Sequence, residues 1–379
     1  MKRSIFTAVL IPFIISTTSL LAQYEKRADP ADYESPVMKA IAYGLTAPSP
    51  HNTQSWFIDT LSATEMLLYV KHTLPATDPP ARQIHMGAGC FIECLAIGMT
   101  GEGFETDVVY FPEGDYELGP GELAKKPVAR IKLVRNPSLD TDPLYGYIYK
   151  RGTNRKPYKG KMINGAEFDQ ICSLMGPTHS EMIFINSKDA MVQYLDVFSR
   201  AMEIETRTKE TNEETRRLFR FSEAERAEKR DGISIPQMGY SGMMEKIAEN
   251  SLNGGDSLTW HSDKNIKATM KGINKGIYSS KGIIMFKTPT NEMMDWVLSG
   301  RDYLRYNIAI AKMGLVTHPY NQVIQEYPDM DNLRNEFSEL TRIAGDEKIQ
   351  MIVRIGRAKE TYKSWRKKPE DYLIHFANE

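Results

Sequence analysis

The sequence predicts an α+β protein made of two αβ halves in one chain. Three observations point there. Short strand candidates come in groups on either side of long apolar helices. The order helix, polar loop, strands, long helix, strands occurs twice, although the halves show no obvious sequence repeat. Finally, 379 residues with 41% hydrophobic and 26% charged side chains suffice to bury one large core or two closely packed ones.

The amino-terminus has its own logic. Lys2 and Arg3 precede an apolar run over 5–22, and the polar sequence Gln23-Tyr24-Glu25-Lys26-Arg27 follows. That is the pattern of a signal peptide over 1–22, cleaved after Ala22, and predicts export to a bacterial periplasm. Leu20 at the −3 position is larger than a cleavage site prefers, so an uncleaved N-terminal membrane anchor is the alternative. No cysteine follows to carry a lipid and no twin arginine precedes the run. Beyond it, no apolar stretch long enough to span a bilayer is expected. Residues 23–35 form a polar spacer.

The first half is placed at 36–140. Val37, Ile41 and Leu45 recur at helical spacing, giving a helix over 37–45. Pro48 and Pro50 end it, since each fixes φ and restrains its predecessor. A strand pair is predicted over 56–59 and 66–70 around a turn at 59–62. A long apolar helix follows over 82–99, in which Gly87, Ala88, Gly89 and Ala96 let another helix approach closely. Strands over 105–111 and 128–134 close the half.

The second half, 141–379, opens at Asp142-Pro143 with a helical turn over 144–149. Strands are expected over 182–186, 282–287 and 349–355, and helices over 188–206, 213–229 and 290–313. Dense mixed charge over 203–230 predicts a solvated helical face laced with i,i+4 pairs. Between 231 and 276 lie Gly239-Tyr240-Ser241-Gly242-Met243-Met244 and Asn253-Gly254-Gly255. An irregular insertion of this length suits a lid over a flat apolar ligand, or an ordinary surface loop.

Composition removes several functions. A net charge of −1 offers no electrostatic footprint for nucleic acid. Cys90, Cys94 and Cys172 are the three cysteines; the first two, four apart in an apolar helix, read as small buried hydrophobes. No His/Cys spacing suggests a metal, and no nucleophile–base pair stands out as catalytic.

The chemistry concentrates in four places. Pro48-Ser49-Pro50-His51-Asn52-Thr53-Gln54-Ser55-Trp56 carries two amides, each donor and acceptor, able to match the edge of a flavin or simply to form a polar turn. Arg151-Gly152-Thr153-Asn154-Arg155 offers two guanidiniums and a hydroxyl for a phosphate, or an exposed basic loop. Gly314-Leu315-Val316-Thr317-His318-Pro319-Tyr320-Asn321-Gln322 follows a helix, and Trp365-Arg366-Lys367-Lys368-Pro369 lies near the carboxyl end.

Together these resemble the FMN-dependent nitroreductase superfamily, in particular its two-repeat Acg-like branch. The first segment is similar to the Pro-Ser-x-x-Asn-x-Gln-Pro-Trp signature, with Ser55 where proline is usual. The second resembles the Arg-x-Ser-x-Arg/Lys phosphate motif, the third the Gly-Leu-x-x-x-Pro segment beside the flavin ring, and the fourth the terminal basic segment, with lysines for arginines. Arg82 resembles a family position opening the long helix, for packing or for cofactor. The resemblance implies a nitroreductase fold with antiparallel-rich sheets flanked by helices, a homodimer fused into a pseudo-dimer that stands as a monomer. It implies FMN held by Ser49, Asn52, Gln54, Arg151, Thr153, Arg155, Pro319, Gln322, Lys367 and Lys368. It further implies hydride passing from a reduced nicotinamide, or another donor, through flavin N5 to a nitroaromatic or quinone-type acceptor. The alternatives are a flavin-sequestering protein with little turnover, and a flavin-free scaffold. In the fused arrangement, loops near residues 50 and 153 converge on one flavin.

Overall fold

Pro36 lacks an N–H that an early helical position leaves unpaired anyway, and the first helix, α1 (Pro36–Gly44), starts there. This is a computed structural model that describes residues 26–119 and 121–374; the expected signal peptide over 1–22 lies outside them. β1 (Trp56–Ser62) and β2 (Glu65–Val70) form an antiparallel hairpin. Its strands run to Ser62 and Glu65, so the turn sits at Ala63-Thr64 and not at 59–62. Helix α2 (Arg82–Gly101), β3 (Phe104–Tyr110) and β4 (Ala129–Arg135) complete an antiparallel sheet in the order β1-β2-β4-β3.

The second half repeats this connectivity. A helix not foreseen from the sequence, α3 (Gly165–Met175), is closed at its start by a capping box between Asn164 and Glu167. Strand β5 (Glu181–Ile185) follows. Then six helices intervene: α4 (Lys188–Arg207), α5 (Lys209–Arg217), α6 (Glu223–Lys229), α7 (Met243–Ser251), α8 (Ser257–Trp260) and α9 (Asp263–Ile277). The fold resumes with β6 (Ile283–Thr288), α10 (Met293–Lys312), β7 (Val316–Pro319), α11 (Asp331–Thr341) and β8 (Lys348–Gly356). The second sheet has the order β5-β6-β8-β7, again all antiparallel. Both sheets therefore wind as two strands, a 20-residue helix and two strands, and the α+β class expected from the sequence is observed.

One expectation needs correction. α2 reaches a mean hydropathy of 1.3 over 18 residues, long and apolar enough to cross a membrane, and 83% of that window is buried inside the protein. Its apolarity is used by packing on both sides. α1 covers one face, and α10 of the other half crosses the opposite face. At the crossing the two backbones nearly touch. A side chain on Gly89 would overlap the carbonyl of Val297, and one on Gly300 would overlap that of Met86. The contact is reciprocal, as at a two-fold interface. Around it, the carboxylate of buried Glu93 accepts from Arg301 at 2.6 Å and Arg305 at 2.8 Å. At the start of α2, Arg82 is fully buried and donates to the carbonyls of Gln350 and Ile324, both at 2.9 Å. Its role is thus packing between halves.

The carboxyl-terminal segment returns to the first half. Leu373 bridges Ile58 in parallel, and the Ile374 N–H donates to the Ile58 carbonyl at 2.9 Å.

The helix crossing predicts a mutational outcome. Gly300→Ala forces a methyl into backbone and should lower unfolding free energy by about 1–3 kcal/mol, the range for overpacking a tight core. Urea unfolding of the two proteins measures this, and an unchanged midpoint would contradict the close approach.

Candidate functional site

The loop between α1 and β1 takes a conformation that its sequence alone disfavours. His51, Asn52 and Gln54 have φ of 47°, 56° and 51°, a left-handed region where non-glycine residues are uncommon. Surrounding bonds hold it there. The Ser49 hydroxyl accepts from the Gln54 N–H at 3.0 Å. Arg366, buried, donates to the carbonyls of Leu45 at 3.0 Å and Ala47 at 3.1 Å, and to the Asn52 side-chain oxygen. Gln54 accepts from the Lys367 N–H at 3.1 Å and from the Tyr372 hydroxyl at 3.0 Å. The carboxyl-terminal segment therefore clamps the loop in shape.

Two adjoining cavities open beside this loop. The larger, about 430 Å³, falls in the range of small-molecule sites. It rests on the helix crossing, where Met86, Gly87 and Cys90 of α2 and Tyr303 of α10 line it, and β7 adds His318 and Pro319. Its cover comes from the insertion between β5 and β6, through Phe219, Ile235, Met238, Leu252 and Trp260. The smaller, about 70 Å³, shares Ser49, His51, Thr153 and Arg155 with the first.

The smaller recess is cationic. Arg27, Arg151, Arg155, Lys363 and Arg366 line it, and among the described residues no carboxylate does. Burial, with Arg151 nearby, lowers Arg27 to about 10. Burial also lowers Arg151. Lys363 falls to about 7 through burial and the charges of Arg27 and Arg151. Arg366 moves well down for the same reasons, and His51 drops to about 4 through burial and Arg155. Two of these groups have donors to spare: among the described residues, Arg27 Nε and Nη1 and Arg151 Nη1 are buried without a partner, whereas Lys363 Nζ donates to the carbonyls of Lys150 at 2.8 Å and Arg151 at 3.0 Å. Like charges crowded at low dielectric are costly unless an anion joins them. An anion would offset that cost here, where buried guanidinium N–H groups are unpaired and Gly152 adds no side chain to the lining.

The sequence-derived residues divide accordingly. Ser49, Asn52, Arg151, Thr153 and Arg155 meet at the recess, so loops near 50 and 153 do share one cleft. Pro319 and Gln322 line the larger cavity. Gln54 lines neither, because its amide is used to clamp the carboxyl-terminal segment and to donate to the Arg230 carbonyl at 2.9 Å. Lys367 and Lys368 also stand outside both: Lys367 Nζ lies 3.6 Å from Asp231, and Lys368 is exposed. Their neighbour Arg366 reaches the recess instead. Arg27 and Lys363 were missed; each is an ordinary basic residue until the fold brings it to the others. The segment 203–230 keeps its pairs Arg207–Glu203 and Arg217–Glu213, yet it is no simple solvated face. Glu205, Thr211 and Asn212 are buried, and Glu205 and Asn212 line the larger cavity. The segment over the larger cavity is accordingly longer and more helical than the irregular stretch expected over 231–276.

No protein-family model and no curated protein matches this sequence. Solved structures do. The chain is similar to a nitroreductase with bound FMN from Bacteroides fragilis NCTC 9343, at 11% identity and TM-score 0.31 over 57% of this chain and 89% of that one. A nitroreductase-like family protein from Bacillus cereus matches at 13% identity and TM-score 0.32, over 62% and 96%. The FMN-dependent nitroreductase NfnB from Mycobacterium smegmatis, in complex with NADPH, matches at 11% and 0.30, over 55% and 84%. These neighbours are nitroreductase-family proteins.

The depressed Lys363 gives the recess a pH signature. Its ammonium is about half charged near pH 7 in the free protein and gains full charge only at lower pH, and a bound anion favours the charged form. Anion affinity should therefore be highest below pH 7 and fall from pH 7 to 9, by at most about tenfold per unit for one proton. Sulfate, which does not titrate in this window, is the probe for calorimetry. Lys363→Met should flatten the profile; a flat wild-type profile would remove Lys363 from the site.

Proposed function

We propose that this protein is an FMN-binding oxidoreductase of the nitroreductase type. The observation that carries the reading is the buried cationic recess, free of carboxylates and with unspent guanidinium donors, opening into a larger apolar-walled cavity. A phosphate with a flat ring attached matches that pairing. Arg27, Arg151 and Lys363 hold the phosphate, with Arg155, Thr153 and Ser49 at the junction between the cavities. Asn52 is held at the rim by Arg366. The larger cavity, with Met86, Tyr303 and Pro319 in its lining, would take the ring system. When bound, FMN supplies two-electron chemistry, accepting hydride from a reduced nicotinamide or another donor and delivering it to a nitroaromatic or quinone-type acceptor. The chain's own residues bind, orient and exclude water; the helical roof of α4–α9 and the apolar walls provide the dry surroundings.

The two halves take the parts of two subunits. Equal strand order in both sheets and the reciprocal Gly89–Gly300 approach support this, as does one cavity drawing walls from both. The apolar run over 5–22 supports an exported protein. An exported setting lacks a ready nicotinamide pool, so a different donor is part of the proposal. A second reading, flavin holding with little turnover, is favoured by the extent of the roof.

Two measurements test these readings. Changing Arg151 and Arg155 together to Ala should weaken FMN binding by several kcal/mol, at about 1.5–3 kcal/mol for each charge-assisted contact; flavin fluorescence quenching reads the loss. Retention of stoichiometric flavin would refute the phosphate assignment. In anaerobic solution, bleaching of the yellow protein by NADPH on mixing supports turnover. A colour that persists for hours supports holding, or another reductant, and a protein that stays colourless with added FMN ends the flavin reading.

A further inference from the structure

The larger cavity has a second polar group of residues, away from the cationic recess. Glu205 of α4, Gln322 and Gln325 all line the cavity, and none of them lines the recess. Glu205 is only 7% exposed and Gln325 only 4%. Both glutamine side chains neighbour the Glu205 carboxyl and favour its charged form. Among the described residues, each of the three keeps a buried acceptor without a partner, and the buried Tyr327 hydroxyl near Glu205 is unpartnered as well. Glu205 Oε2, Gln322 Oε1 and Gln325 Oε1 are buried acceptors with nothing donating to them. Around them stand Met202, Thr206 and Ile273, which offer no countercharge. The electrostatics agree. Burial raises the Glu205 carboxyl to about 7 despite the two neighbouring glutamines, and Glu214 pushes the same way.

Buried acceptors without donors are as informative as the unspent guanidiniums of the recess, with the sign reversed. A carboxylate and two amide oxygens buried without donors along one cavity wall call for a partner that brings several N–H groups and, best, a positive charge. We infer that Glu205, Gln322 and Gln325 form a subsite for a second small ligand bearing a protonated nitrogen with at least two N–H donors. Glu205 lies on the insertion that only the second half possesses, so this subsite belongs to the roof and not to the repeated framework. It would select among molecules entering the cavity by their basic head group, whatever occupies the recess.

Calorimetry on the full chain, with and without FMN, tests this with benzamidinium and with acetophenone, a neutral ketone of similar shape lacking N–H donors. Benzamidinium should bind about tenfold tighter or better, the scale of a hydrogen bond to a charged group. Glu205→Gln should erase most of that preference and leave acetophenone unchanged. Gln322→Leu, at a half-buried position, should reduce it in the same direction and serves if the first variant does not fold. Equal affinity for both probes, or a preference that survives both substitutions, would overturn the subsite. So would competition between FMN and benzamidinium together with weaker FMN binding by Glu205→Gln, because the flavin's own N–H would then be the donor. Selective benzamidinium binding by a protein that does not take FMN would uphold the subsite and remove the flavin reading alone.

Discussion

The two halves meet through one contact that tolerates no side chain: α2 and α10 crossing at Gly89 and Gly300. Because each glycine faces the other helix's backbone carbonyl, the crossing distance is set by main chain on both sides. Interiors this closely packed transmit any enlargement to their surroundings. Met86, Gly87, Cys90 and Tyr303 flank the crossing and form the floor of the larger cavity. A shift of either helix therefore reshapes the site directly. Glu93, shared between Arg301 and Arg305, adds a directional element to an otherwise apolar contact. A buried carboxylate left without those arginines would be strongly unfavourable, so the network resists any other register of the two helices.

Above this rigid floor the protein concentrates its unfavourable features. Three left-handed residues within four positions, and five cations around a recess of about 70 Å³, both oppose stability in the absence of a ligand. They persist because other parts of the fold over-determine them. Arg366 occupies three acceptors of the 45–52 segment, and the strand-like pairing of Leu373 with Ile58 anchors the segment that carries Arg366. An anion in the recess would offset the charge repulsion. Binding there would add to stability, since it favours the folded state alone.

The halves differ where function demands it. Between β1 and β2 the first half has a tight turn at 63–64, whereas between β5 and β6 the second half carries residues 186–282. That single insertion roofs the cavity and brings a buried carboxyl to it. An even framework thereby becomes a one-sided site, with a cationic recess in one place and a cluster of acceptors in another.

Local features were legible from residues alone. Helical spacing from Val37, the prolines at 48 and 50, the apolar helix from Arg82 and the strand pairs appear close to where the pattern puts them, since burial of one face imposes its period on the sequence. So do the polar loop at Ser49–Asn52 and the basic run at Arg151–Arg155, whose residue types name their chemistry. Other features had no such mark. Helix α3 depends on a capping box at Asn164 and Glu167 more than on apolar spacing, and Glu205 sits among charges that resemble any solvated face. That Arg366 rather than Lys367 or Lys368 enters the site depends on which side of an extended segment faces inward. That Arg27 and Lys363 join Arg151 depends on chain paths far apart in sequence. Sequence determined the elements and the kinds of chemistry available, because period and side-chain type are local properties. Only the tertiary structure decided which charges are left without partners, because burial and the absence of a counter-ion are properties of everything packed around a group.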